Sequence, residues 1–386
     1  MGSFDVAVVG LGAMGAASLH ALSRRGARVV GCDRFEPGHD RGSSHGESRI
    51  IRLAYFEDPA YVPLVRLAYE AWERLQADTG RRIMIRTGML EAGVKGSALV
   101  EGSLRSANEH GIAHELLSPA QVAERFPAFS LPHDWDCLFQ ADGGLLEPEK
   151  AIRLLVETAS AQGATVHANA RVRRVAPKGE GVAVELEDGT VVEAGSAIVA
   201  AGPWMGELVP ELAPHLTLTR QTLTWFEPVD PALVGPDRMP AFLIDTVGGG
   251  AAGEAAGDAL IYGLPDIGAG VKAGSHLSQG VLAGPDAPRP AASPAETAAL
   301  RELLGRYIPA AAGPPRHSRA CTYTRTPDEH FVLGPHPDAP QIVLASPCSG
   351  HGFKFASIIG EILADLVLTG ATPHPIGLFS PGRLMR

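Results

Sequence analysis

Six residues constrain this chain more than any others: Gly10-Leu11-Gly12-Ala13-Met14-Gly15. They follow an apolar run, residues 4–9, that reads as a buried strand. They open a stretch, 13–25, with apolar residues at helical spacing. Gly26 stops that helix, and residues 28–32 read as a second apolar strand. The result is a strand–helix–strand unit of about 30 residues, the size a parallel crossover needs. Each glycine has its own task in such a turn. Gly10 permits the tight turn, Gly12 lets a pyrophosphate reach the backbone, and Gly15 lets helix and strand pack closely. Free N–H groups at the helix start suit phosphates. Asp33, at the end of the second strand, stands where a carboxylate accepts from ribose hydroxyls. The pattern predicts a dinucleotide site and does not separate NAD from FAD.

A chain of 386 residues exceeds one typical core, so two domains are expected. The formal net charge of -10 excludes a nucleic-acid backbone as partner, since no basic excess is present to release counterions. Cys32, Cys137, Cys321 and Cys348 lie far apart with no CxxC pair, so neither a metal site nor a disulfide framework is indicated. Taken alone, each reads as a small buried hydrophobe. The amino terminus lacks a basic n-region, its apolar run is broken by glycines, and no run reaches membrane-spanning length. The expectation is a cytoplasmic monomer with no membrane partner.

Further along, residues 61–75 read as an amphipathic helix, 148–162 as another, and 165–175 as extended. Val182, Val184 and Leu186 alternate toward Asp188-Gly189, a hairpin turn signal, and 196–201 reads as a strand. Between 217 and 316 prolines are frequent, with a Gly/Ala-rich stretch at 247–257 and a polar Pro-rich one at 284–294. These read as loops of a less regular second domain covering the cofactor. Residues 341–345 then read as a strand and 353–368 as a helix.

Four further segments occur in order: Gly42-Ser43-Ser44-His45-Gly46-Glu47-Ser48-Arg49-Ile50-Ile51-Arg52, Gly270-Val271-Lys272, Ala320-Cys321-Thr322-Tyr323, and Ser349-Gly350-His351-Gly352-Phe353-Lys354-Phe355. With the glycine motif they resemble the monomeric sarcosine oxidase and N-methyltryptophan oxidase family over nearly the whole chain. The resemblance implies an α/β fold with a discontinuous Rossmann-type FAD-binding domain (1–90, 147–216 and 317–386) and a second α+β substrate domain (91–146 and 217–316). It implies FAD joined covalently to Cys321, oxidation of N-methyl or cyclic secondary amino acids to an imine that water hydrolyses, and oxygen as acceptor with hydrogen peroxide formed. Ser43, Gly350, Gly352 and Lys354 would lie on the cofactor, and Arg52 and Lys354 would clamp the substrate carboxylate. His45 and Arg49 would sit near the flavin ring, Lys272 would assist oxygen, and His276, His351, Tyr262 and Tyr323 would line the pocket. Considered alone, Arg52, Lys354 and Lys272 read as ordinary surface or salt-bridged charges, and His45 as a loop histidine.

The likeness departs from the family at Ser275 and Leu264, where aromatic residues are expected. Smaller side chains there imply a substrate bulkier than sarcosine, with 247–257 as a candidate lid. Two other readings stay open: a flavin dehydrogenase of the same fold, and a non-catalytic dinucleotide-binding sensor, which would need the glycine motif and Asp33 but not Cys321, Lys272 and Lys354 together.

Overall fold

A computed structural model describes residues 4–246, 260–276, 280–346 and 349–385. Cys348 and the expected lid at 247–257 lie outside the described residues. The chain builds two large sheets, and the first contains the glycine motif. Its central strand, Phe4–Val9, runs parallel to Val29–Cys32 on one side and to Val191–Val199 on the other. Val191–Val199 has two partners on its far edge. Its first half pairs with Gly181–Leu186, in a hairpin closed at Asp188-Gly189, and its last residues pair parallel with Ala339–Ser346. The helix Ala13–Arg24 packs on this sheet, and the terminal helix Ala356–Thr369 crosses it closely at Gly360. A side-chain carbon at Gly360 would lie 2.5 Å from the Ala17 backbone. That crossing fixes where the terminal helix begins, and therefore where Gly350 to Lys354 sit.

Residues 165–175 do not form one extended segment. They split into Thr165–His167, at one edge of the sheet, and Val172–Lys178, at the opposite edge. Asn169 takes a left-handed conformation (φ 57°) between them, a geometry asparagine tolerates better than most residues. The terminal helix also starts later than periodicity predicts: Phe353–Phe355 is a tight 3₁₀ turn and the α-helix begins at Ala356.

The second sheet corrects the expectation of a loop-rich covering domain. Its eight strands run in the order Pro315–Arg325, Thr217–Phe226, Val271–Ser275, Leu260–Leu264, Ala241–Asp245, Met89–Val94, Trp135–Gln140, Glu115–Leu117. Four of them come from the segment read as loops. Prolines there, such as Pro231, Pro240 and Pro265, punctuate the strands and do not prevent them. The sheet also runs past residue 316, because Pro315–Arg325 pairs with Thr217–Phe226 along nearly its whole length. The stretch 284–292 has no regular structure. The helix Pro294–Tyr307 then begins with a reciprocal cap between Ser293 and Glu296.

The second sheet carries its own apolar core, including Phe226, Phe242, Ile261 and Leu304. Burying each such side chain contributes about 1.5–3 kcal/mol. Each large sheet thus has apolar packing of its own, on both faces of the first, and the site lies between the sheets. No helix among the described residues is long and apolar enough to cross a membrane.

Candidate active site

A cavity of about 1900 Å³, open mouth included, runs from the glycine turn to the second sheet. At its first end the three glycines differ physically. Gly10 has φ +87°, and a side chain there would meet the Ala200 carbonyl oxygen at 2.6 Å. At Gly15 a side-chain carbon would sit 1.7 Å from the Gly10 carbonyl oxygen, so it is the helix–strand contact that demands glycine. At Gly12 it would meet only Ser44 Oγ, at 3.8 Å, and Gly12 lines the cavity. Its bareness serves a guest. Asp33 lies at the same end, where one oxygen accepts from Leu11 N at 2.5 Å and the other from Phe35 N at 2.8 Å. Burial pushes its carboxyl above the usual range, against those two N–H groups.

Midway along, Cys321 lines the cavity from the strand Pro315–Arg325 and is 1% exposed. Its Sγ lies 3.7 Å from Arg49 Nη2, and Arg49 also donates to the carbonyls of Ser43 and Ser48. Ser43 Oγ donates to the Thr322 carbonyl at 2.6 Å, tying the serine-rich loop to the cysteine strand. Cys32 and Cys137 are buried apolar-type thiols, as expected of small hydrophobes.

Lys272, 2% exposed, reaches the cavity beneath the Trp225 ring, 5.7 Å from its centroid. Its Nζ donates to the Gly46 carbonyl at 2.8 Å and to the Ser48 carbonyl. Burial, and next Arg49, push its pKa well below that of an ordinary lysine. Glu149 accepts from Gly46 N and Glu47 N and so holds the same loop from the other side. His45 is 1% exposed, with no hydrogen-bond partner on either ring nitrogen among the described residues. It is not among the residues lining the cavity but is buried behind that wall. Burial, and next Arg49, lower its pKa to about 3, so it is neutral.

At the far end stand Arg52 and Lys354. Trp72 Nε1 donates to the Lys354 carbonyl at 2.9 Å, which fixes the turn carrying this lysine. Lys354 Nζ donates to the His351 carbonyl at 2.8 Å, and burial lowers its pKa to about 7. His351 Nε2 faces the Glu329 carbonyl at 3.1 Å and must carry its proton there. Its Nδ1 therefore accepts from the Tyr55 hydroxyl at 2.6 Å. Burial lowers this imidazole to about 4, which keeps it in that neutral form. His276 stands between the rings of Tyr262 and Tyr323, and all three line the cavity. Gly350 (φ +84°) is glycine because a side chain would strike Tyr323 at 2.4 Å.

Sequence reasoning missed the anions around Arg52. Glu57 holds it with both oxygens, and Glu91 lies 3.5 Å from it. A signal existed for Glu91: a single charge inside the apolar run Met89-Leu90-Glu91-Ala92. Ser275 was also misplaced. On the strand Val271–Ser275, Lys272 and Gly274 share one face, while Ser275 follows Val271 and Ala273 onto the other. Leu264 does line the cavity.

The family model for FAD dependent oxidoreductases matches residues 5–366. The chain belongs to that family. Among its relatives are a monomeric sarcosine oxidase of Streptomyces avermitilis, 39% identical over 99% of this chain and 98% of the relative, and an N-methyl-L-tryptophan oxidase of Salmonella agona, 33% identical over 96% of each. The fold is also that of NikD, an unusual amino acid oxidase essential for nikkomycin biosynthesis (TM-score 0.84, 24% identity, 99% of this chain and 98% of that one). Membership makes the chain an enzyme and FAD its cofactor. The residues fit FAD: the bare Gly12 turn faces the cavity, Asp33 lines the same end, and Cys321 adds a lining thiol farther along. Among the described residues no cluster of His, Cys, Asp or Glu could hold a metal.

Proposed function

We infer that this enzyme is an FAD-dependent oxidase of N-methyl or cyclic secondary amino acids, with Cys321 as the covalent anchor of the flavin. The observation that carries the reading is the pairing, in one cavity, of two buried basic side chains at the far end with a lining thiol and a buried lysine farther in. When bound, FAD would supply the redox chemistry, a two-electron oxidation at the carbon beside nitrogen with oxygen as the final acceptor. Gly10, Gly12, Gly15, Asp33, Ser43, Gly350 and Gly352 serve its binding in this reading. The chain's other residues supply position and charge.

Arg52 and Lys354 hold the substrate carboxylate, a planar fork and a point charge acting on two oxygens. His276, Tyr262 and Tyr323 wall the space in which the amine lies. Burial lowers the pKa of both His276 and His351 and leaves these imidazoles neutral, so neither puts a positive charge beside the free amine that is oxidised. Arg49 stands beside the Cys321 thiol, its Nη2 3.7 Å from the sulfur, and so holds the side chain at the cavity wall. Lys272 supplies positive charge where oxygen gains an electron. Leu243, Leu260 and Leu264 form an apolar wall that supports a substrate bulkier than sarcosine, each added methylene contributing about 0.8 kcal/mol. A monomeric, cytoplasmic protein belongs to the same reading, as do FAD-domain segments 1–90, 147–216 and 317–386, the strand 315–325 excepted.

Oxygen uptake by the purified protein should be followed with sarcosine, larger N-methyl amino acids, proline and pipecolate. The reading requires uptake with at least one of them and the highest specificity constant for a bulky member. No uptake with any would overturn the oxidase assignment, and a maximum at sarcosine would overturn the size argument.

A further inference from the structure

Glu91 is wholly buried on the strand Met89–Val94, between apolar neighbours. One oxygen accepts from Gln140 Nε2 at 3.2 Å. The other lies 3.5 Å from Arg52 Nη1 and accepts no hydrogen bond of good geometry among the described residues, although the buried Ser103 hydroxyl stands near enough to favour the ionised form. Gln140 uses its own carbonyl oxygen on Ala54 N at 2.8 Å, so it is fixed in that orientation. Arg52 and Glu57 face this carboxylate from the segment after the strand Arg49–Ile51, and Lys354 contributes from the turn Phe353–Phe355.

Arg52, joined by Lys354 when it is protonated, thus meets two anions, Glu57 and Glu91. A ligand carboxylate would make three anions against at most two cations in a buried place, where an unbalanced charge costs several kcal/mol. One anion has to neutralise or leave. Glu57 is the poor candidate for taking a proton, because its two-oxygen grip on Arg52 outweighs burial and holds it at about 2. Glu91 has one oxygen unsatisfied, and burial pushes it up to about 7 even with Arg52 beside it.

We propose that Glu91 is a positioning residue behind Arg52 that takes up one proton from solvent when a substrate carboxylate binds, becoming a neutral acid and leaving the charge of Arg52 to the ligand. This rests on the reading that Arg52 and Lys354 bind the carboxylate. Ionised Glu91 opposes the ligand and neutral Glu91 does not, so affinity depends on pH through a residue that touches no substrate.

Cyclopentanecarboxylate, which carries the anion and no amine to oxidise, is the probe. Its dissociation constant would be read from the flavin absorption of the holoenzyme between pH 6 and 9. Each proton taken up weakens binding by up to about tenfold per pH unit above the titrating range. Lys354 contributes one such dependence, and Glu91 adds a second. Glu91→Gln should remove one of the two, making the slope shallower and binding at pH 9 at least about tenfold tighter than wild type. Parallel profiles for wild type and variant would overturn the proposal. Should the variant not fold, infrared difference spectra of the wild-type holoenzyme decide. A protonated-carboxyl stretch must appear on binding at pH 8, and its absence overturns the proposal equally. Failure of the underlying reading looks different: the probe would then not perturb the flavin, or would bind equally well to Arg52→Met.

Discussion

Both carboxylate oxygens of Glu57 accept from one nitrogen of Arg52, at 2.8 and 2.6 Å. The same guanidinium donates to the Ala54 carbonyl at 2.7 Å and lies 4.5 Å from the centroid of the Tyr55 ring. Arg52 is therefore positioned before any ligand arrives, with Glu57 where a ligand carboxylate would compete. Losing a charged hydrogen bond costs about 1.5–3 kcal/mol. Arg52→Met should weaken carboxylate inhibitors at least about tenfold, and Glu57→Gln should tighten them by removing the competitor. Inhibitor titrations that move in the opposite directions would remove Arg52 from the binding site.

Lys272 divides the reaction in two. Its ammonium is held by the carbonyls of Gly46 and Ser48, away from Arg52 and Lys354. In Lys272→Met, anaerobic flavin reduction by substrate should stay near wild type while reoxidation by oxygen slows at least about a hundredfold. Because burial depresses the lysine pKa, wild-type reoxidation should also slow as pH rises, the protonated form being lost earlier than for an exposed lysine. Equal slowing of both half-reactions in the variant would contradict this division.

Cys321 lines the cavity beside Arg49, and the proposed function makes it the covalent anchor of the flavin. Acid precipitation should leave the yellow chromophore in the protein pellet, and Cys321→Ser should release it to the supernatant. A colourless wild-type pellet would rule out the bond.

The glycine turn was legible from sequence because its demands are local: Gly10 and Gly15 answer contacts within one strand–helix unit and its neighbour. The anionic surroundings of Arg52 were not. Glu91 arrives there only because Met89–Val94 pairs with both Ala241–Asp245 and Trp135–Gln140, partners far away in the chain. Ser275 failed for a different reason. It was read as a pocket position because the family pattern leads to an aromatic residue there, although the strand sends Lys272 and Ser275 to opposite faces. Composition likewise hid the second sheet, since its prolines fall between strands while Thr217–Phe226 keeps its polar residues buried against neighbouring strands.

His20 offers a test of the fold remote from the site. It is 8% exposed, and burial, then Arg24, lower its pKa to about 4 from an unfolded value near 6.5. The unfolded chain therefore binds the proton more readily. Stability is fully present above pH 6.5 and is lost as pH falls from there toward 4, by on the order of 3 kcal/mol from this residue. Urea midpoints for His20→Leu should fall less steeply over that window than those of wild type. Identical slopes would show that His20 takes up its proton as readily in the folded protein as in the unfolded chain.

The central claim is that this enzyme oxidises a secondary amino acid and gives the electrons to oxygen. It is tested most directly by mixing the holoenzyme anaerobically with a bulky N-methyl amino acid and then admitting air. The flavin should bleach on mixing and regain its colour with air, with one hydrogen peroxide formed per flavin reoxidised. Bleaching that air does not reverse would make the chain a dehydrogenase, and no bleaching with any secondary amino acid would contradict the account altogether.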